Sequence, residues 1–112
     1  MKTTWSQSEA IELCKRIESF APQYGFHVAL TGGCLYRDGE RSDIDLIFYR
    51  DRRYNKNVLG LLNRLAVLFE CFPFGAGSED FQTNNWRYVL YSHQRKIDVL
   101  FPQYNDPWDK RL

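Results

Sequence analysis

The sequence predicts an α/β (α+β) domain, a small mixed β-sheet with helices packed on one face. Three observations carry that expectation. Two segments, Ser6 to about Tyr24 and Asn55 to Phe72, repeat apolar residues at helical spacing. Four short segments, 26–31, 43–50, 86–91 and 96–101, read as strands. The resulting order is α-β-turn-β-α-β-β, a layout that layers helices against a single sheet.

The first helix is capped by Ser6 or Ser8, with Glu9 and Glu12 near its positive end. Its apolar stripe is Ile11, Leu13, Cys14, Ile17 and Phe20, and Ala21-Pro22 and Gly25 end it. Phe26 to Thr31 (FHVALT) is a short apolar strand stopped by Gly32-Gly33. In Asp43 to Arg50 (DIDLIFYR), Ile44, Leu46 and Phe48 share one face, and Asp43, Asp45, Ile47 and Tyr49 share the other. Both faces turn apolar after Asp45, which places this strand inside the sheet. The second helix carries Val58, Leu61, Leu62, Leu65, Leu68 and Phe69 on its stripe and is broken by Phe72-Pro73 and Gly75-Ala76-Gly77. Trp86 to Tyr91 and Lys96 to Phe101 form a hairpin joined by Ser92-His93-Gln94-Arg95.

At 112 residues the chain fits one domain, 1–112, with an aperiodic tail over 102–112. Aromatics at 16% and apolar residues at 44% argue against disorder. A net charge of +1 gives no sign of a protein that coats nucleic acid. Cys14, Cys34 and Cys71 show no CxxC spacing, so neither a disulfide framework nor a zinc site is implied. The opening MKTTWSQSEA lacks the apolar run of a secretory signal, and no stretch has the roughly 20 apolar residues of a membrane span. The expectation is a cytoplasmic protein with no membrane association.

The stretch that carries chemistry is Leu30 to Phe48, LTGGCLYRDGERSDIDLIF. Gly32 and Gly33 follow a strand, and without Cβ atoms they let backbone N–H groups approach a phosphate. A helical turn starting at Gly33 adds its positive end to that anion site. Nine residues later come Asp43 and Asp45, which point to the same side of a strand. Two such charges about 4 Å apart repel by about 4 kcal/mol at an effective dielectric near 20. A hard divalent cation offsets that cost, since Mg²⁺ favours one or two carboxylates with phosphate oxygens and water. Asp98, in KIDVLF, is out of place among apolar residues of a late strand. Ile97, Val99 and Phe101 share one face of that strand; Lys96, Asp98 and Leu100 share the other. If it lies beside Asp43–Arg50, a three-carboxylate cluster forms, able to hold metal ions that clamp both oxygens of phosphoryl-type transfer.

The combination of Gly32-Gly33, the nine-residue spacer, Asp43-Ile44-Asp45 and a later Asp98 resembles the DNA polymerase β-type nucleotidyltransferase superfamily. The resemblance covers about residues 26 to 101. It implies the nucleotidyltransferase fold, dependence on Mg²⁺ (or Mn²⁺), and a nucleoside triphosphate, ATP first, as donor of a nucleoside monophosphate to a hydroxyl. It implies Asp43 and Asp45 as metal ligands, Asp98 as third ligand or base, and Gly32 and Gly33 at the triphosphate. Larger relatives have a helical domain for the base or acceptor. This chain ends at Leu112, so the resemblance is to minimal members that work as homodimers or with a protein partner.

Arg37, Arg41 and Lys96 are the basic candidates for the triphosphate, Lys96 first because it shares a strand face with Asp98; Arg37 and Arg41 read alternatively as a solvated loop around the Asp38-Gly39 turn. Ser42 is a further nucleotide-binding candidate, which caps or positions Asp43 or else ends the turn. The run Arg50-Asp51-Arg52-Arg53 reads as a solvated approach to the second helix, and Cys34 as a small packing residue. Trp5, Trp86 and Trp108 read as core or helix cover; Tyr36 and Tyr49 as core or rim. The acceptor classes that fit such a transfer are a small molecule, an RNA end and a protein side chain. The alternative function is a non-catalytic or antitoxin-like module of the same fold that acts through a protein partner.

Overall fold

A computed structural model describes residues 3–36, 39–71 and 87–101. The expectations for Arg37, Phe72-Pro73, the 75–77 break, Trp86, Trp108 and the tail lie outside these residues. The elements are α1 (Gln7–Glu18), a 3₁₀ turn (Ala21–Tyr24), β1 (Phe26–Thr31), α2 (Gly33–Tyr36), β2 (Asp43–Arg50), α3 (Val58–Phe69), β3 (Arg87–Ser92) and β4 (Arg95–Leu100). The predicted small mixed sheet with helices against it is what the chain forms. Among the described residues, no helix is long and apolar enough to cross a membrane.

Four boundaries differ from the sequence reading, each for a local reason. Ser6 caps α1 in a full capping box with Glu9, but the helix stops at Glu18 rather than near Tyr24. Pro22 has no N–H to donate to a carbonyl of the preceding turn, so the α-helical ladder cannot continue and the chain restarts as a 3₁₀ turn over Ala21–Tyr24 with Pro22 near its start. The buried face of α1 runs through Ala10, Leu13 and Ile17, which leaves Ile11 42% exposed against expectation. α3 begins at Val58 because the Asn57 side chain accepts from Gly60 N at 2.9 Å. It ends in a Schellman-type closure, with Glu70 in the left-handed region and Cys71 N donating to Ala66 O at 2.9 Å. The hairpin loop has two residues rather than four. His93 and Gln94 both have positive φ, so Ser92 and Arg95 pair across the ladder.

The sheet order is β1-β2-β4-β3. β1 and β2 are antiparallel, β2 and β4 parallel, β4 and β3 antiparallel. The interior position predicted for Asp43–Arg50 therefore holds. Ile44, Leu46, Phe48, Ile97, Val99 and Leu90 meet Leu13 and Ile17 of α1 and Leu61, Leu62, Leu65 and Phe69 of α3 in one apolar core. Phe101, just past β4, closes one end, its ring 5.1 Å from that of Phe26 and 5.5 Å from that of Phe48. Alternation sends the other residues of each strand to the opposite face, where the carboxylates stand.

The run after β2 is not the solvated segment expected. Arg50 and Asp51 are buried, while Arg52 and Arg53 are exposed. Arg50 Nη1 donates to Gly25 O at 2.6 Å and Nη2 to Tyr54 O at 3.2 Å, with the guanidinium over the Phe26 ring. Asp51 accepts from Arg53 Nε at 2.9 Å and Nη2 at 2.7 Å and faces His27 Nε2 at 3.1 Å. The bonds from Arg53 hold its carboxyl well below the usual carboxylate range.

Candidate metal centre

Register alone brings the three predicted carboxylates together. In the parallel pair β2–β4, Asp45 is the partner of Asp98 and Asp43 of Lys96. Asp43 and Asp45 sit two residues apart on one face, and Asp98 lies beside them on the next strand. One oxygen from each falls within 4.8 Å of the others. Asp98 is buried; Asp43 and Asp45 are half-buried. Three carboxylates, two of them from one strand, suit a hard divalent cation.

The cluster is electrostatically uncomfortable by itself. Burial first, then the charges of Asp43 and Asp98, push the Asp45 carboxyl up to about 6, with Lys96 pulling weakly the other way. Cations offset the repulsion. Arg87 Nη2 donates to Asp98 Oδ1 at 2.9 Å, and Lys96 Nζ stands 3.8 Å from Asp98 Oδ2. Lys96 thus stands beside the carboxylates, on the strand face it shares with Asp98.

The glycine turn packs directly on the cluster. Gly32 has φ +75°, a conformation that costs any L side chain, and a Cβ there would collide with Asp45 Oδ2. Gly32 O accepts from Leu35 N and Tyr36 N, which starts α2 at Gly33 as expected. A Cβ on Gly33 would lie 3.0 Å from Arg41 Nε, so the Arg41 side chain rests against this turn. That Nε is buried and has no hydrogen-bond partner among the described residues. Ser42 is exposed at the entry of β2. Cys34 is a packing residue as read, 1% exposed, its Sγ 3.6 Å from Asp43 O. Burial and the charges of Asp45 and Asp43 raise its thiol above the ordinary range. Tyr36 is 77% and Tyr49 43% exposed, so neither is core.

Two contributors were not foreseen. Arg87 enters the site because β3 pairs antiparallel with β4, with Arg87 opposite Leu100 and Val89 opposite Asp98. A long side chain reaches such a diagonal neighbour, but nothing in a single arginine at a strand start announces it. Trp5 was read as core, and it is buried; it also clamps the motif. Trp5 N donates to Arg41 O at 2.7 Å, Arg41 N returns to Trp5 O at 2.8 Å, and Trp5 Nε1 donates to Lys96 O at 2.9 Å. One residue thereby ties the entries of β2 and β4, each two residues from a carboxylate of the cluster. The Arg95 guanidinium lies over the Trp5 ring at 3.8 Å and bonds Glu9 at 3.2 Å. Compared with known proteins, the chain matches no family model and no curated sequence.

Proposed function

We propose that this chain is a metal-dependent nucleotidyltransferase of the DNA polymerase β type, moving a nucleoside monophosphate from a nucleoside triphosphate to a hydroxyl acceptor. The observation that carries the reading is the convergence of Asp43, Asp45 and Asp98 on one sheet face, against the Gly32 turn. Two features support it. The raised Asp45 carboxyl marks a crowded, partly buried carboxylate whose neighbours Asp43 and Asp98 add to the cost of its charge. The buried Arg41 Nε–H has no partner among the described residues, and a buried unmet donor costs about 1–3 kcal/mol. A phosphate at the glycine turn would meet that donor, and Arg suits such contacts.

Asp43 and Asp45 would hold the cation, Mg²⁺ or Mn²⁺, with Asp98 as third ligand or as acceptor of the hydroxyl proton. When bound, the cation supplies neutralisation of the charge on the transferring phosphate. Gly32 and Gly33 admit the triphosphate close to the backbone, and Arg41 and Lys96 flank it with positive charge. The acceptor hydroxyl attacks the α-phosphorus. The bond from that phosphorus to the oxygen bridging the β-phosphate breaks, and pyrophosphate leaves with the electron pair. The hydroxyl proton passes to a carboxylate of the cluster. The residues otherwise act by positioning and charge.

The test is transfer of label. The protein is incubated with each of the four α-phosphate-labelled ribonucleoside triphosphates, Mg²⁺ or Mn²⁺, and a cell extract as the source of acceptors. Wild type should label a small molecule, an RNA end or a protein, and Asp45→Asn should not. Nucleotide captured without transfer to any acceptor would leave a binding module, and the proposal of turnover would fall.

A further inference from the structure

We infer that Arg87 is a phosphate-binding residue that exchanges partners, bonded to Asp98 in the free protein and to the triphosphate once a cation holds that carboxylate. The inference rests on the function proposed above. The Arg87 side chain is 40% exposed, whereas Asp98 is 5% exposed, so the arginine covers the carboxylate from the solvent side. Its Nη2 bonds Asp98 Oδ1 at 2.9 Å, on one of the three carboxylates that lie close enough to hold a cation. Across the sheet, Thr31, Asp45, Asp98 and Val89 form one row by register. Gly32 therefore borders the carboxylates from the β1 side, and Arg87 borders them from the β3 side. The two flanks enclose the cluster.

A cation that takes Asp98 competes with the guanidinium for that carboxylate, and the half-exposed arginine is then available to a second anion beside the acidic centre. The phosphate oxygens of a metal-bound triphosphate are the anions that arrive with the cation, and the guanidinium fork matches them. Arg87 thus opposes bare metal and favours metal with nucleotide. The two ligands become positively coupled, and the coupling runs equally in both directions.

The test compares wild type with Arg87→Gln and Arg87→Lys by two binding measurements, neither of which needs turnover. The first is Mn²⁺ alone, followed by its spin resonance. The second is the α,β-methylene analogues of the four triphosphates at saturating Mn²⁺, followed by calorimetry. Arg87→Gln should bind Mn²⁺ about threefold or more tighter and the best analogue about tenfold weaker, since charge-assisted bonds are worth more than neutral ones. Arg87→Lys keeps the charge and loses the fork, and should fall between. Opposite signs separate this role from a structural one, which would weaken both. If wild type binds both ligands while Arg87→Gln matches it, or weakens both with an unchanged melting temperature, the inference fails alone. If wild type binds neither Mn²⁺ nor any analogue, the proposed function fails and takes this inference with it.

Discussion

Asp45 shows at the scale of one residue how the carboxylate cluster works against folding. Its carboxyl is pushed up to about 6, first by burial and then by Asp43 and Asp98. A carboxyl raised above its unfolded value favours folding fully below the unfolded value, and that contribution is lost as pH rises through the folded one. Between pH 4 and 6 the folded chain keeps a proton that the unfolded chain has released; above about 6 it bears an unfavourable charge. Asp45→Asn should therefore raise the stability of the metal-free protein at pH 7.5 by about 1 kcal/mol, discounted for a half-exposed group. Urea denaturation checks this, and a clear loss of stability would show that the carboxylate is instead held favourably. Gly32→Ala should act in the opposite direction, costing about 1–3 kcal/mol through the left-handed φ and the collision with Asp45. It should also weaken Mn²⁺ binding by moving that carboxylate; unchanged Mn²⁺ affinity would detach the glycine turn from the site. The acidic members were legible in the sequence because strand alternation fixes the side of Asp43 and Asp45 without knowledge of the fold. Arg87 was not, since only the β3–β4 register delivers it to Asp98. Arg50 and Asp51 looked solvated because their burial depends on Gly25 O and His27, partners distant in the chain.

At the scale of elements, hydrophobic period located the long helices and the strands of the described residues, while their ends followed local chemistry that period does not encode. Pro22 splits the first helix, the Asn57 side chain starts α3, and His93 and Gln94 turn the hairpin without the Asn-Gly pair that signals such turns. The clamp by Trp5 belongs to this scale, because it joins strand entries that are paired only through their successors. Its indole is buried and bonded at Nε1 to Lys96 O. Trp5→Phe keeps most of the ring and removes that donor, so it should cost about 0.5–1.5 kcal/mol, plus what the lost volume adds. Trp5→Ala should cost about 3–5 kcal/mol. Chemical denaturation of both variants measures these losses. A Phe variant as damaged as the Ala variant would mean that the hydrogen bond, not the packing of the ring, dominates the clamp.

At the scale of the whole molecule, the sheet divides its labour between faces. One face joins α1 and α3 in the apolar core; the other carries the carboxylates, and the parallel pairing of β2 with β4 at the sheet centre sets them side by side. A core that stabilises the first face tolerates the repulsion concentrated on the second, which a cation would relieve. Binding to the folded state alone stabilises by mass action, about 2.7 kcal/mol at one hundred times the dissociation constant. In a domain of about this size each kcal/mol moves the melting temperature by about 4–8 °C. Saturating Mn²⁺ should then raise the melting temperature by about 10 °C or more at pH 7.5. Protons compete with the cation for Asp45, so the gain should shrink as pH falls through about 6 and be small at pH 5. Asp45→Asn should lose most of it at every pH. Differential scanning fluorimetry over a Mn²⁺ series at both pH values reads all three outcomes. A gain of equal size at pH 5, or one that survives in the Asn variant, would mean that the cation binds elsewhere and that the acidic face is held together without it.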